Sequence, residues 1–199
     1  MHPPPPADLA ARRLPIVRIK ATWWRIYNTA YAPIYFGATG GNRFDAPADP
    51  SGRRPFGVLY VGRDAHGAFI ETFGHDTGKN LVEVARLAQR GLARVTVDRA
   101  LRLVDLRGDG LARLGADNAL AAGEDYAVAQ AWSGALHDHP RKPDGVVYRS
   151  RHDPSRFCAA LFDHVAPHVR ARPVGSSLAD PRNIKRLADL LDTYGFGLV

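Results

Sequence analysis

Short apolar runs and segments of helical periodicity follow one another along this chain without strict alternation, and that irregular order is what most constrains the fold. A doubly wound sheet needs strand and helix to alternate. The mixed order predicts instead an α+β architecture, a mixed sheet flanked by helices. Apolar runs bounded by glycine or turn residues predict strands at 57–62, 92–97, 101–106, 145–149 and 157–162. The aromatic-rich stretch 16–27, with Trp23, Trp24, Ile26 and Tyr27, predicts a further strand. Asp64 is placed to cap a helix over 65–75, where Ala65, Ala68, Phe69 and Phe73 form one stripe. Glu71 and His75 are four residues apart and share another face of that helix. A second helix is predicted over 82–90. Val128, Ala131, Trp132 and Ala135 predict one over 124–137. Asp180-Pro181 opens the last helix, Ile184, Leu187, Ala188, Leu191 and Tyr194 form its stripe, and Gly195 closes it. Residues 44–56, rich in Pro, Asp and Gly, read as a long loop. A length of 199 residues fits one domain. Pro3 to Pro6 favour extended structure, so residues 1–15 read as a flexible tail and 16–199 as the domain.

Several chemistries are excluded by what the chain lacks. No apolar run approaches the roughly 20 residues of a membrane span, and the N-terminus has no apolar secretory stretch. These features predict a cytoplasmic protein. The lone Cys158, in FCAALF, has no disulfide partner and reads as a buried strand residue. Glu71 and His75 lack a third ligand at a sensible spacing, and His137 and His139 read as loop residues, so no metal is expected. There is no GxxxxGK[ST] loop, no HExxH helix and no GxSxG elbow. Gly37 to Gly41 is glycine-rich but does not have GxGxxG spacing. The net charge is +7, and only four of the 27 basic residues (Lys20, Lys79, Lys142, Lys185) are lysines. Arginine favours forked bonds to phosphates and carboxylates. A basic nucleic-acid-binding module, with Trp23, Trp24 and Tyr27 stacking on bases, is the alternative of another class. The basic residues are dispersed and no recognition helix is evident, so no direct nucleic-acid contact is expected.

Four separated segments hold polar residues in strand-like or glycine-rich settings: WWRIY with Arg25, GGNRFD with Gly41, Arg43 and Phe44, GVLYVGRDAHGAFIETFGH with Tyr60 and Glu71, and DGVVYRSR with Tyr148, Ser150 and Arg151. Each residue also has a bland reading, as an edge-strand arginine, a solvated glutamate, a turn serine or a core tyrosine. In this order, and with the closing NIKRLADLLDTYGFGL, the segments resemble the RES-domain family, named for its Arg, Glu and Ser. The resemblance runs from about Trp24 to the C-terminus. The family commonly has Gly-Arg-Trp-Asn where this chain has Asn42-Arg43-Phe44-Asp45, and Ser or Ala where Gly62 stands. Phe44 keeps an aromatic surface, whereas Asp45 adds a negative charge beside a proposed phosphate site.

The resemblance implies a compact, ADP-ribosyltransferase-like fold and an enzyme that consumes NAD by cleaving the nicotinamide–ribose bond. The acceptor is left open: water for an NAD glycohydrolase, phosphate for an NAD phosphorylase, or a side chain for a protein ADP-ribosyltransferase. It also implies a toxin of a toxin–antitoxin pair, held by an antitoxin with a helix-turn-helix DNA-binding part. Self-association is left open. Departure of nicotinamide builds positive charge on the ribose, as in glycoside cleavage, and Glu71 is the carboxylate expected to stabilise it. Arg25 and Arg43, with Arg151 as a weaker candidate, are expected on the pyrophosphate, which Gly41 lets the backbone approach. Tyr60 or Phe44 is expected to stack on nicotinamide, and Ser150 to bond its ribose or carboxamide.

Overall fold

A computed structural model describes residues 3–75 and 78–199. In chain order the elements are β1 (Ile16–Ile19), β2 (Trp23–Asn28), β3 (Val58–Gly62), α1 (Ala65–Phe73), β4 (Leu81–Val82), α2 (Val84–Ala88), β5 (Arg90–Val97), β6 (Leu101–Asp105), α3 (Asp109–Leu114), α4 (Ala119–Ala122), α5 (Tyr126–His137), β7 (Gly145–Arg149), β8 (Phe157–Phe162), β9 (Val169–Val174), α6 (Ile184–Tyr194) and β10 (Gly197–Leu198). Eight strands form one sheet in the order β1-β6-β7-β8-β3-β2-β5-β9. Every neighbouring pair is antiparallel except β6 and β7. A parallel pair needs a long crossover, and here α3, α4 and α5 supply it. The architecture is the α+β arrangement expected from the irregular element order.

Among the described residues, three apolar clusters hold it together. The sheet curls so that one face closes on itself, with Trp23, Val95 and Val169 from one half meeting Leu59, Leu103 and Leu161 from the other. The opposite face is covered by the crossover, where Trp132, Leu136, Leu111 and Leu120 pack on Val104, Val146 and Phe162. Leu9 and Leu14, from the proline-rich N-terminal stretch, are buried in this second cluster. In the third, Phe69 and Phe73 of α1, Leu87 of α2 and Leu190 of α6 cover Leu92 of β5.

Local chemistry sets most boundaries. Asp64 caps α1 by accepting the Gly67 N–H at 2.7 Å, and Asp125 caps α5. Asp180 accepts from the Arg182 amide, Pro181 opens a 3-10 turn (Pro181–Asn183), and α6 follows it. Gly195 ends α6 in the left-handed region, at φ +64°. The stretch 16–27 proves to be two strands: β1 pairs with β6, whereas β2 pairs with β5 and β3. The predicted helix 82–90 narrows to α2, because Leu81–Val82 pairs in parallel with β10 and Arg90 already belongs to β5. Among the described residues no helix is long and apolar enough to cross a membrane.

Candidate active site

The sheet splits between β2 and β3. β2 pairs with β5 at six positions but with β3 only at Trp24↔Gly62. Beyond that point a cleft of about 560 Å³ opens. Arg25 and Ile26 line it from β2, Val58 and Tyr60 from β3, and Glu71 and Thr72 from α1. Gly62 closes the narrow end: a Cβ there would collide with the Ala68 amide nitrogen of α1. A Ser or Ala at this position therefore requires α1 to sit further from β3.

The carboxylate of Glu71 faces this cleft from the last turns of α1, and one of its oxygens is held from behind. Ser150, directly after β7, donates its hydroxyl to Glu71 Oε1 at 2.6 Å. The same Ser150 oxygen accepts the His152 and Asp153 amide N–H groups, each at 3.2 Å. A hydroxyl has one proton and two lone pairs. With both lone pairs engaged by the turn, the proton is directed at Glu71. Ser150 is 1 % exposed, so it acts on the carboxylate from beneath the surface of the cleft. The turn is anchored in its own right, since Asp153 accepts from Tyr194 Oη at 2.9 Å and pairs with Arg156.

Positive charge dominates the remaining polar surface. Arg25 donates to the Tyr35 carbonyl at 3.1 Å. Burial lowers its pKa to about 10, which leaves the guanidinium charged at neutral pH. Arg43 donates to the Gly123 carbonyl and lies 4.7 Å over the Tyr126 ring. Burial also lowers the pKa of Arg43. Neither arginine has a carboxylate in salt-bridge contact among the described residues, whereas Arg151 pairs with the exposed Glu124 at 3.1 Å. His152 is pushed below its usual pKa, first by burial and against the pull of Glu71, so its ring is neutral at physiological pH.

The glycine loop carrying Arg43 is folded around Asp45, which is fully buried. The Asp45 carboxylate accepts from the Gly40 amide (2.9 Å), the Asn42 amide (3.2 Å), Asn42 Nδ2 (3.1 Å), the Thr39 hydroxyl (3.3 Å) and the Tyr60 hydroxyl (3.0 Å). Its negative charge is thus directed into its own loop. Gln130 of α5 ties the outside of the loop by donating to the Gly40 and Asn42 carbonyls. Gly40 sits at φ +78° against the Arg54 guanidinium, a position that suits only glycine.

Arg25, Gly41, Arg43, Tyr60, Glu71 and Arg151, all expected from the sequence, line this one cleft. Ser150 is bonded to it through Glu71. Phe44 is not among the lining residues. Its ring is 1 % exposed and packs 5.0 Å from the Tyr148 ring, while its amide donates to Tyr60 Oη at 2.9 Å. Sequence reasoning assigned no role to Tyr35, Tyr126, Tyr148 or His152, which also line the cleft. Tyr148 and His152 flank Ser150 in one segment, a proximity that marks them in the sequence. Tyr35 and Tyr126 carry no local mark and arrive only through tertiary packing.

Known proteins resemble this chain in sequence and in fold. The sequence model of the RES domain matches residues 22–183. A protein described as "Probable toxin y4kH", from Sinorhizobium fredii (strain NBRC 101917 / NGR234), is 32 % identical over 118 residues, spanning 59 % of this chain and 90 % of that one. A chain of the crystal structure of the M. tuberculosis MbcT–MbcA toxin–antitoxin complex superposes with a TM-score of 0.59 at 16 % identity, covering 90 % of this chain and 98 % of the other. At that identity the likeness is one of fold.

Proposed function

This chain belongs to the RES-domain family, and from that premise we propose that its domain over residues 16–199 binds NAD in the split-sheet cleft and cleaves the nicotinamide–ribose bond. The observation that carries the reading is one serine-held carboxylate, Glu71, in a cleft with two arginines that lack carboxylate partners among the described residues. Such a site has a place for two phosphates and one developing cation.

In the proposed reaction the bond between the anomeric carbon and the nicotinamide nitrogen breaks. Its electron pair leaves with nicotinamide, neutralising the pyridinium. Positive charge then spreads over the ribose carbon and ring oxygen, and Glu71 stabilises it. Arg25 and Arg43 hold the pyrophosphate by charge-assisted bonds. Tyr60, with its hydroxyl fixed to Asp45, offers its ring to nicotinamide. Ser150 fixes the carboxylate in place and is read here as a positioning residue. Water, phosphate or a protein side chain completes the transfer, and all three acceptors share this first half. We read the protein as the toxin of a toxin–antitoxin pair acting in the cytoplasm, with a cognate antitoxin covering the arginine-lined cleft.

The test is loss of intact NAD with purified protein, in buffers with and without phosphate, beside Glu71→Gln. The expected outcome is NAD consumption that Glu71→Gln reduces by on the order of 10²–10⁴. A product carrying phosphate on the ribose identifies phosphorolysis, free ADP-ribose identifies hydrolysis, and label retained on a protein identifies transfer. Folded wild-type protein that neither consumes nor transfers from NAD in any buffer overturns the reading.

A further inference from the structure

A second cluster of chemically capable side chains lies away from the cleft. His137 closes α5, and Asp163 and His164 lie in the 3-10 turn that follows β8. One ligand atom from each lies within 4.8 Å of the other two. None of the three lines the cleft. From this arrangement we propose that His137, Asp163 and His164 bind a divalent transition-metal ion such as Zn²⁺ or Ni²⁺ through two imidazoles and one carboxylate, with the remaining positions open to water.

Packing and hydrogen bonds fix His137 and Asp163 in place. The ring of His137 is stacked on Phe56, with centroids 3.9 Å apart and planes 6° from parallel, which fixes its plane. Its Nδ1 faces Asp138 Oδ1 at 2.8 Å, leaving Nε2 to bind the ion. A carboxylate behind a ligating imidazole fixes its tautomer and raises its basicity. Asp163 accepts the Gly57 N–H on Oδ2 at 2.8 Å, which leaves Oδ1 available. His164 is exposed, with Asp144 Oδ1 3.8 Å from its Nε2. Asp144 itself is committed to Arg99 through two bonds. Metal–nitrogen bonds of about 2.0–2.1 Å put tetrahedral donor atoms roughly 3.3 Å apart, so side-chain rotation of about an ångström closes the site. Two imidazoles and one carboxylate suit zinc and nickel, whereas calcium and magnesium prefer oxygen.

The sequence reads His137 and His139 as loop residues and expects no metal, whereas His137 is the last residue of α5. His139 is engaged by the Arg12 carbonyl and the Arg141 amide. The partners of His137 come from a turn more than twenty residues away, which no local spacing discloses. A bound ion would tie the end of α5 to the turn after β8 and, through Asp163 and Gly57, to the start of β3.

Tag-free, metal-stripped full-length protein is titrated with zinc sulfate alone, and bound metal is measured after equilibrium dialysis. The expected result is one equivalent per chain and a rise in melting temperature. His164→Ala and Asp163→Asn each weaken binding by about tenfold or more and abolish the rise in melting temperature, while NAD consumption is unchanged. Cobalt is expected to give visible d–d bands in the wild type that His164→Ala removes. Binding of well under one equivalent at high zinc overturns the proposal. So does binding that folded His164→Ala and His137→Ala variants retain in full. His137→Ala loses the Phe56 stack and can fail to fold, so the more exposed His164 supplies the deciding variant. Because the readouts are metal uptake and stability, failure of the NAD reading leaves this test intact.

Discussion

At the scale of single residues, the site depends on two side chains whose hydrogen bonds are saturated. Ser150 gives its only proton to Glu71 and takes two amide donors from its own turn. Ser150→Ala therefore leaves Glu71 in the cleft but free to rotate. The expected outcome in NAD-loss kinetics is a kcat lower by roughly tenfold or more with KM changed little, because the proposed mechanism assigns binding to the arginines. Rescue by Ser150→Thr at equal stability distinguishes a positioning role from a packing one. Asp45 is the other such residue. The sequence suggests that its charge disturbs a phosphate site, but both oxygens are filled by loop donors and by Tyr60. The Asn42 side chain supplies one of those donors in addition to its backbone amide, so two of the positions where the sequence departs from the family pattern it resembles, Asn42 and Asp45, bond to each other. Asp45→Asn sets an NH₂ group against N–H donors and is expected to cost about 1–3 kcal/mol, read as a lower denaturant midpoint. That Arg25, Glu71 and Ser150 belong together is legible only through the family that their segments, taken in order, resemble. That Ser150 acts through Glu71 is not, since two backbone amides from its turn decide it.

At the scale of elements, legibility followed the strength of local pattern. α1 announces itself by its Asp64 cap and aromatic stripe, and β7 and β8 by apolar runs of the observed length. β9 was missed because VRARPV is an edge strand with exposed arginines and a proline, with little apolar alternation to detect. α3, of six residues, is too short for periodicity to register. The break between β1 and β2 is invisible locally because both halves are apolar and the break is set by different pairing partners. One element reaches the site from afar. Tyr194, at the end of α6, donates to Asp153 in the turn that holds Ser150. Burial, and then this bond, raise the tyrosine pKa, so the phenol stays a donor across the physiological range. Tyr194→Phe removes only the hydroxyl. It is expected to lower the rate of NAD loss several-fold while melting temperature falls by only a few degrees, consistent with the loss of one hydrogen bond worth about 1 kcal/mol.

At the scale of the whole molecule, one ion pair joins segments far apart in sequence, at the starts of the neighbouring strands β6 and β7, and sets a pH dependence. Asp144 precedes β7, is almost fully buried, and accepts two bonds from Arg99 and one from the Arg102 amide. Burial alone would raise its pKa, but the bonds from Arg99 and Arg102 outweigh burial and hold it below the usual carboxylate range. A carboxyl with a depressed folded pKa contributes stability above its unfolded value, about 3.9, and that contribution is lost as pH falls through the folded value. Asp144→Asn is therefore expected to lower the denaturant midpoint at pH 7 and to narrow its gap from wild type as pH falls below about 4. A gap that stays constant down to acid pH would contradict this account. The split between β2 and β3 has a mechanical meaning of its own. Across most of its length that seam lacks the ladder of paired residues that joins β2 to β5. The groups that would grip a ligand stand on both banks, Arg25 on one and Glu71 with Tyr60 on the other. On the proposed reading, a substrate lodged there would act as a rivet across the two banks.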